Sequence, residues 1–167
     1  SNHLYDWGYL LSFPSVFKTN NKDINLSFTP SIGYSKSNIG GLISFIDPAQ
    51  GDPAPETARF GISSIFEAKD KSDHPLLKIT FVREAEDLLT IWNLDSLVDS
   101  PPGQSSSFWN WEYQEGLGDI DIKKHILQSK SDEDVIIHGG FEINIYDAYS
   151  IREGIYIDEE SKIDMYS

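Results

Sequence analysis

The sequence predicts an all-β domain: an antiparallel two-sheet β-sandwich with at most one or two short helices. Three observations lead there. Apolar and polar residues alternate along several short stretches, the period of a strand that turns successive side chains to opposite faces. Two loops rich in Pro, Gly and Ser, residues 47–55 and 100–107, punctuate those stretches. Little of the remainder keeps helical spacing. The segments are uneven in length, which favours a sandwich over the runner-up, an up-and-down β-barrel.

Residues 135–157 show the alternation best. Phe141, Ile143, Ile145, Tyr149 and Ile151 fall on one face, with Glu142 and Asn144 between them. Gly139 and Gly140 read as the entry, and residues 152–154 as a turn. From the start of the chain, Tyr5, Trp7, Tyr9, Leu11 and Phe13 alternate until Pro14. Residues 20–23 form a polar turn, and Ile24, Leu26 and Phe28 resume the period of two. Pro30, Gly33 and residues 35–38 read as loop around Tyr34. Residues 42–46 are apolar enough for a central strand. Residues 60–66 and 76–81 read as strands on either side of a charged turn. Residues 88–92 read as a strand paired back on 77–81 across the acidic turn 84–87, although Ala85, Leu88, Leu89 and Trp92 also fit helical spacing. Residues 121–128 suit one short helix capped by Asp121, with a strand from Asp119 as the competing reading.

At 167 residues the chain suits one β domain, residues 3–158, with 1–2 read as a tag remnant and 159–167 as a polar tail that frays. Hydrophobic residues reach only 39 % but aromatic residues 13 %, so rings with Ile and Leu must build the core. The net charge of −14, from 27 acids against 13 bases, repels phosphate backbones and anionic lipid and excludes nucleic-acid binding by a basic patch. Without cysteine there is neither a disulfide nor a thiolate metal site. No apolar run approaches the roughly 20 residues of a spanning helix, so no membrane span is expected. The single methionine, Met165, lies near the far end. A removed N-terminal segment and an exported protein are therefore the expectation.

The search for chemistry is mostly negative. No phosphate-binding loop, nucleophile elbow or H-E-x-x-H is present, and His3, His74, His125 and His138 share no short spacing. Asp119, Asp121 and the run Asp132, Glu133, Asp134 offer clustered oxygens but not the calcium-loop pattern, so they read as solvated turns. No metal and no cofactor are expected. The more informative feature is aromatic. Trp109, Trp111 and Tyr113 alternate and would share one face of an extended segment, as would Tyr5, Trp7 and Tyr9.

The expected function is a non-catalytic acidic binding module that engages a protein partner, inhibitor-like, immunity-like or adaptor, with Asp132, Glu133 and Asp134 as its rim. Such acids steer a basic partner. The alternative is a carbohydrate-binding module that stacks sugar rings on Trp109, Trp111 and Tyr113. A carboxylate-dependent hydrolase comes third, because nothing singles out one acid pair among 27.

Overall fold

The computed structural model describes residues 3–14, 17–20, 23–43, 52–93, 110–159 and 163–166. Its centre is an antiparallel meander. β1 (Tyr5–Ser12) and β2 (Phe17–Asn20) lie end to end along β3 (Ile24–Ile39). After a small hairpin of β4 (Leu42–Ile43) and β5 (Asp52–Pro53), the sheet continues through β6 (Thr57–Asp70) and β7 (Pro75–Leu88). A second small sheet pairs β8 (Thr90–Asn93) with β9 (Asn110–Tyr113). A six-residue helical turn, Ile122–Leu127, precedes β10 (Val135–Ile145), β11 (Tyr149–Asp158) and β12 (Ile163–Tyr166), which complete the large sheet. The antiparallel all-β class is as the sequence predicts. The strand order is up-and-down, yet among the described residues β1 and β12 form two free edges and no barrel closes.

The connections differ between the two ends. At one end they are tight: residues 71–74 join β6 to β7 and 146–148 join β10 to β11. Asp70 shapes the first, accepting the amides of Ser72 and His74 on Oδ1 and meeting His74 Nδ1 at 3.0 Å with Oδ2. In the second, Tyr146 and Asp147 both take left-handed φ, as a turn matched to the strand twist requires. At the other end residues 40–56 lead from β3 to β6 and 89–134 from β7 to β10, while the four residues 159–162 lead from β11 to β12.

The register gives each face its character. On one face lie Phe28, Phe66, Ile79, Ile143 and Ile151 in a row, with Leu26, Ala68, Leu77, Ile145 and Tyr149 beside them. Towards the long connections the same face carries Ile32 and Ile62, then Tyr9, Tyr34, Phe60, Ala85, Ile137 and Ile157. The opposite face carries Ser27, Glu67, Lys78 and Asn144, then Ser31 and Ser63, then Glu84 and His138, with Leu10, Ile65 and Val82 as apolar members.

Only the long-connection end of the apolar face is covered. Phe60, Ala85 and Val135 pack there against Ile120 and Ile126 of the helical segment. Asp121 caps that segment by accepting the amides of Lys123 and Lys124. Buried His125 accepts the Asp121 amide on Nδ1, so its proton sits on Nε2 and is donated to Asp132 at 3.0 Å. The carbonyl of Ala54 accepts both Thr90 Oγ1 and Tyr113 Oη, which ties the small sheet to the same end. Gly118, at φ +59, must be glycine: a Cβ there would lie 1.9 Å from Asp87 Oδ2. Among the described residues nothing packs over the rest of the apolar face. The accessible surface is 11659 Å², where a compact monomer of this length would show about 8,300 Å²; a sheet uncovered on both sides contributes to that excess.

Several local expectations are corrected. β3 runs through residues 30–38, which read as loop. Pro30 is tolerated because its missing N–H would point at the gap between β1 and β2, the same side on which its carbonyl accepts the Phe13 amide. β7 runs straight through the expected acidic turn 84–87, so the hairpin of 77–81 with 88–92 does not form; β8 pairs with β9 instead. Glu84 and Glu86 lie on the polar face of a continuous strand, and Arg83, Ala85 and Asp87 on the other. Gly139 and Gly140 lie inside β10 and residues 152–154 inside β11, their turn being 146–148. Asp52 and Pro53 pair with β4 although residues 47–55 read as loop. Residues 163–166 of the expected tail pair with β11. The expected helix at 121–128 forms, one residue shorter at each end.

Candidate functional site

Two cavities, of about 430 and 540 Å³, open on the polar face of the sheet. Between them lies a charged cluster. Arg59 donates to Glu86 at 3.0 Å and comes within 4.0 Å of Glu84, while His138 Nε2 meets Glu86 at 3.3 Å. The His138 hydrogen bond, opposed by burial and reinforced by Arg59, holds the Glu86 carboxyl below its usual range. Glu84, Glu86 and His138 bring three potential metal ligands within 4.8 Å of one another. With Arg59 beside both carboxylates, the set reads as an ion-pair network. Nearer the tight turns, Glu142 accepts from Arg152 and Asn144.

The apolar face has exposed rings at both ends. Tyr146 and Tyr149 flank the tight-turn end. At the other end Tyr5, Trp7 and Tyr9 stand open along β1, each about half exposed or more. Between them Phe81 and Phe141 pair across neighbouring strands and are both exposed. A third cavity, of about 720 Å³, lies against the β1 rings and is roofed by Leu117 and Ile122.

The residues singled out from the sequence fall in three places. Trp109 lies outside the described residues. Trp111 and Tyr113 sit on β9, half-buried, their rings 5.0 Å apart and edge to face, with the Tyr113 hydroxyl bound to Ala54. Asp132 is committed to structure. It accepts from Lys124, His125 and the Val135 amide. Burial alone would raise its carboxyl, but those bonds outweigh it and hold it low. Glu133 and Asp134 are exposed. The open stripe is thus the first one, Tyr5, Trp7 and Tyr9. What separates the two stripes is exposure: the β1 rings stand open, whereas Tyr113 is held against Ala54. The Arg59 cluster was missed because residues 84–87 read as a turn.

Among the described residues no helix is long and apolar enough to cross a membrane, which leaves strands untouched. Compared with protein-family models, curated proteins and solved structures, the chain matches none.

Proposed function

We propose that this sheet is part of the wall of a membrane-embedded β-barrel, with its apolar face towards lipid and its polar face towards a water-filled lumen. The carrying observation is the segregation of the two faces across a meander whose five central strands run 10 to 16 residues. On β3 the apolar face extends from Leu26 to Tyr34, nine residues, and about 9–11 tilted residues span a bilayer core. Tight turns at one end, two long excursions at the other and exposed rings bordering the apolar band are further features of such walls. The two charges in the band, Arg83 and Glu153, have opposite sign and lie on either side of β10, Arg83 opposite Gly139 and Glu153 opposite Phe141, two residues along. Arg83 Nε is buried without a hydrogen-bond partner.

A bilayer tolerates no open sheet edge, so this reading requires β1 and β12 to pair with further strands, from other chain or from a second copy. The competing proposal, an acidic module docking a basic protein, would use exposed Glu133 and Asp134 and needs no lipid. Flotation separates the two. Chain refolded with phosphatidylcholine vesicles is expected to float with them and keep its strand signal. Chain that stays in the aqueous fraction with its strand signal intact contradicts the membrane reading.

A further inference from the structure

We propose that the cavity beside β1 binds a neutral pyranose ring, with Trp7 and Tyr9 as the platform. The rings of Trp7 and Tyr9 lie 6.5 Å apart at 28°, close to parallel. Tyr34 braces both, 5.3 Å from Trp7 and 5.8 Å from Tyr9, and is itself fixed by donating its hydroxyl to Gly116 at 2.8 Å. Their near-parallel planes, both about half exposed, are what they offer to the flat face of a ligand. The cavity over it, about 720 Å³, is within the size range of small-molecule sites.

The charge at this site disfavours an anionic ligand. Lys36, the basic residue of the lining, is paired with the buried carboxylate of Glu56 at 2.7 Å and offers no free positive charge. A chain of net charge −14 repels an anion as well. A sugar ring matches what remains: an apolar C–H face to lie on the rings, and hydroxyls for the phenol of Tyr9 and the indole N–H of Trp7. The stripe spacing along the strand, expected from the sequence at Trp109, Trp111 and Tyr113, is realised in the open at Tyr5, Trp7 and Tyr9. This inference is independent of the membrane reading, since a soluble sheet would present the same platform.

The test is titration calorimetry of the full chain with cellohexaose, maltohexaose and laminarihexaose, and with glucosyl-lipid vesicles against the same vesicles without glucosyl lipid. Binding to at least one probe is expected, a hexasaccharide identifying a free glycan and the vesicles alone a lipid headgroup. Trp7→Ala and Tyr9→Ala should each weaken it roughly tenfold or more, with the circular dichroism unchanged. Trp7→Phe should keep most of it, which guards against a variant that merely unfolds. Trp111→Ala should leave it alone. No binding to any probe, or binding lost with Trp111→Ala and kept in Trp7→Ala, overturns the proposal.

Discussion

Replacing Ile143 by arginine is expected to weaken partition of the chain into phosphatidylcholine vesicles about 30-fold, while Asn144→Arg, one residue along, leaves it unchanged. Ile143 sits in the row of Phe28, Phe66, Ile79 and Ile151, within the apolar band. An arginine on a lipid-facing strand position costs about 2–4 kcal/mol at the midplane and less towards the interfaces. Taking about 2 kcal/mol for a row near the middle gives the 30-fold figure. Asn144 points to the polar face beside Lys78 and Ser150, where another charge meets water. In water alone the two variants should unfold alike, because position 143 is only half-buried. Equal partition of both variants would mean that the band does not meet lipid.

Asp87→Asn is expected to stabilise the fold by up to about 3 kcal/mol at neutral pH, and by nothing below about pH 3. Asp87 is 2 % exposed, and burial pushes its carboxyl up from 3.8 to about 6. The Asp119 amide, donating at 2.7 Å, pulls the other way, while the charges of Asp119, Asp134 and Asp132 push it further up. The sign follows from proton binding. Below the unfolded value both states hold the proton and the group is neutral in its effect. Between about 4 and 6 the folded state holds more protons, so stability falls as pH rises, and above 6 the whole penalty is present. The lowered carboxyls of Glu86 and Asp132 act in the opposite sense, and chiefly below about pH 4.5, where they lose their contribution on protonation. Asparagine keeps an oxygen for the Asp119 amide and carries no charge. Denaturant titrations at several pH values would show the gap between the two proteins opening from about pH 3 to about 7. A gap independent of pH would place the effect elsewhere.

The all-β class was legible because period-two alternation is a local property of the chain. Tyr5–Leu11, Leu26–Phe28 and Phe141–Ile145 each declare a strand without help from their neighbours. The length of the strands was not legible. Pro30, the residues 84–87 and the pair Gly139 and Gly140 all carry the composition of turns, yet each lies mid-strand. Pro30 is harmless only because a gap in the edge faces it, and Glu84 and Glu86 only because Arg59 and His138 answer them from neighbouring strands. Those partners are 25 to 52 residues away and leave no local trace. The same holds for the rings. The stripes at Trp7 and at Trp111 look alike in sequence, and only the tertiary contacts leave the first open and hold the second to Ala54 through the Tyr113 hydroxyl. Asp132, expected as a free rim acid, is instead the acceptor that fixes His125 and Lys124.

Absence of cysteine makes one measurement direct, since every introduced thiol is unique. Single cysteines placed along β10 from Ile137 to Ile145, in chain bound to vesicles, would be reacted with a membrane-impermeant maleimide and with a polarity-sensitive fluorophore. The proposed wall predicts a period of two. Phe141→Cys and Ile143→Cys should resist the maleimide and report an apolar, lipid-like environment, while His138→Cys, Glu142→Cys and Asn144→Cys should label and report water. Equal labelling of both sets, with no environment shift at positions 141 and 143 on adding vesicles, would contradict it.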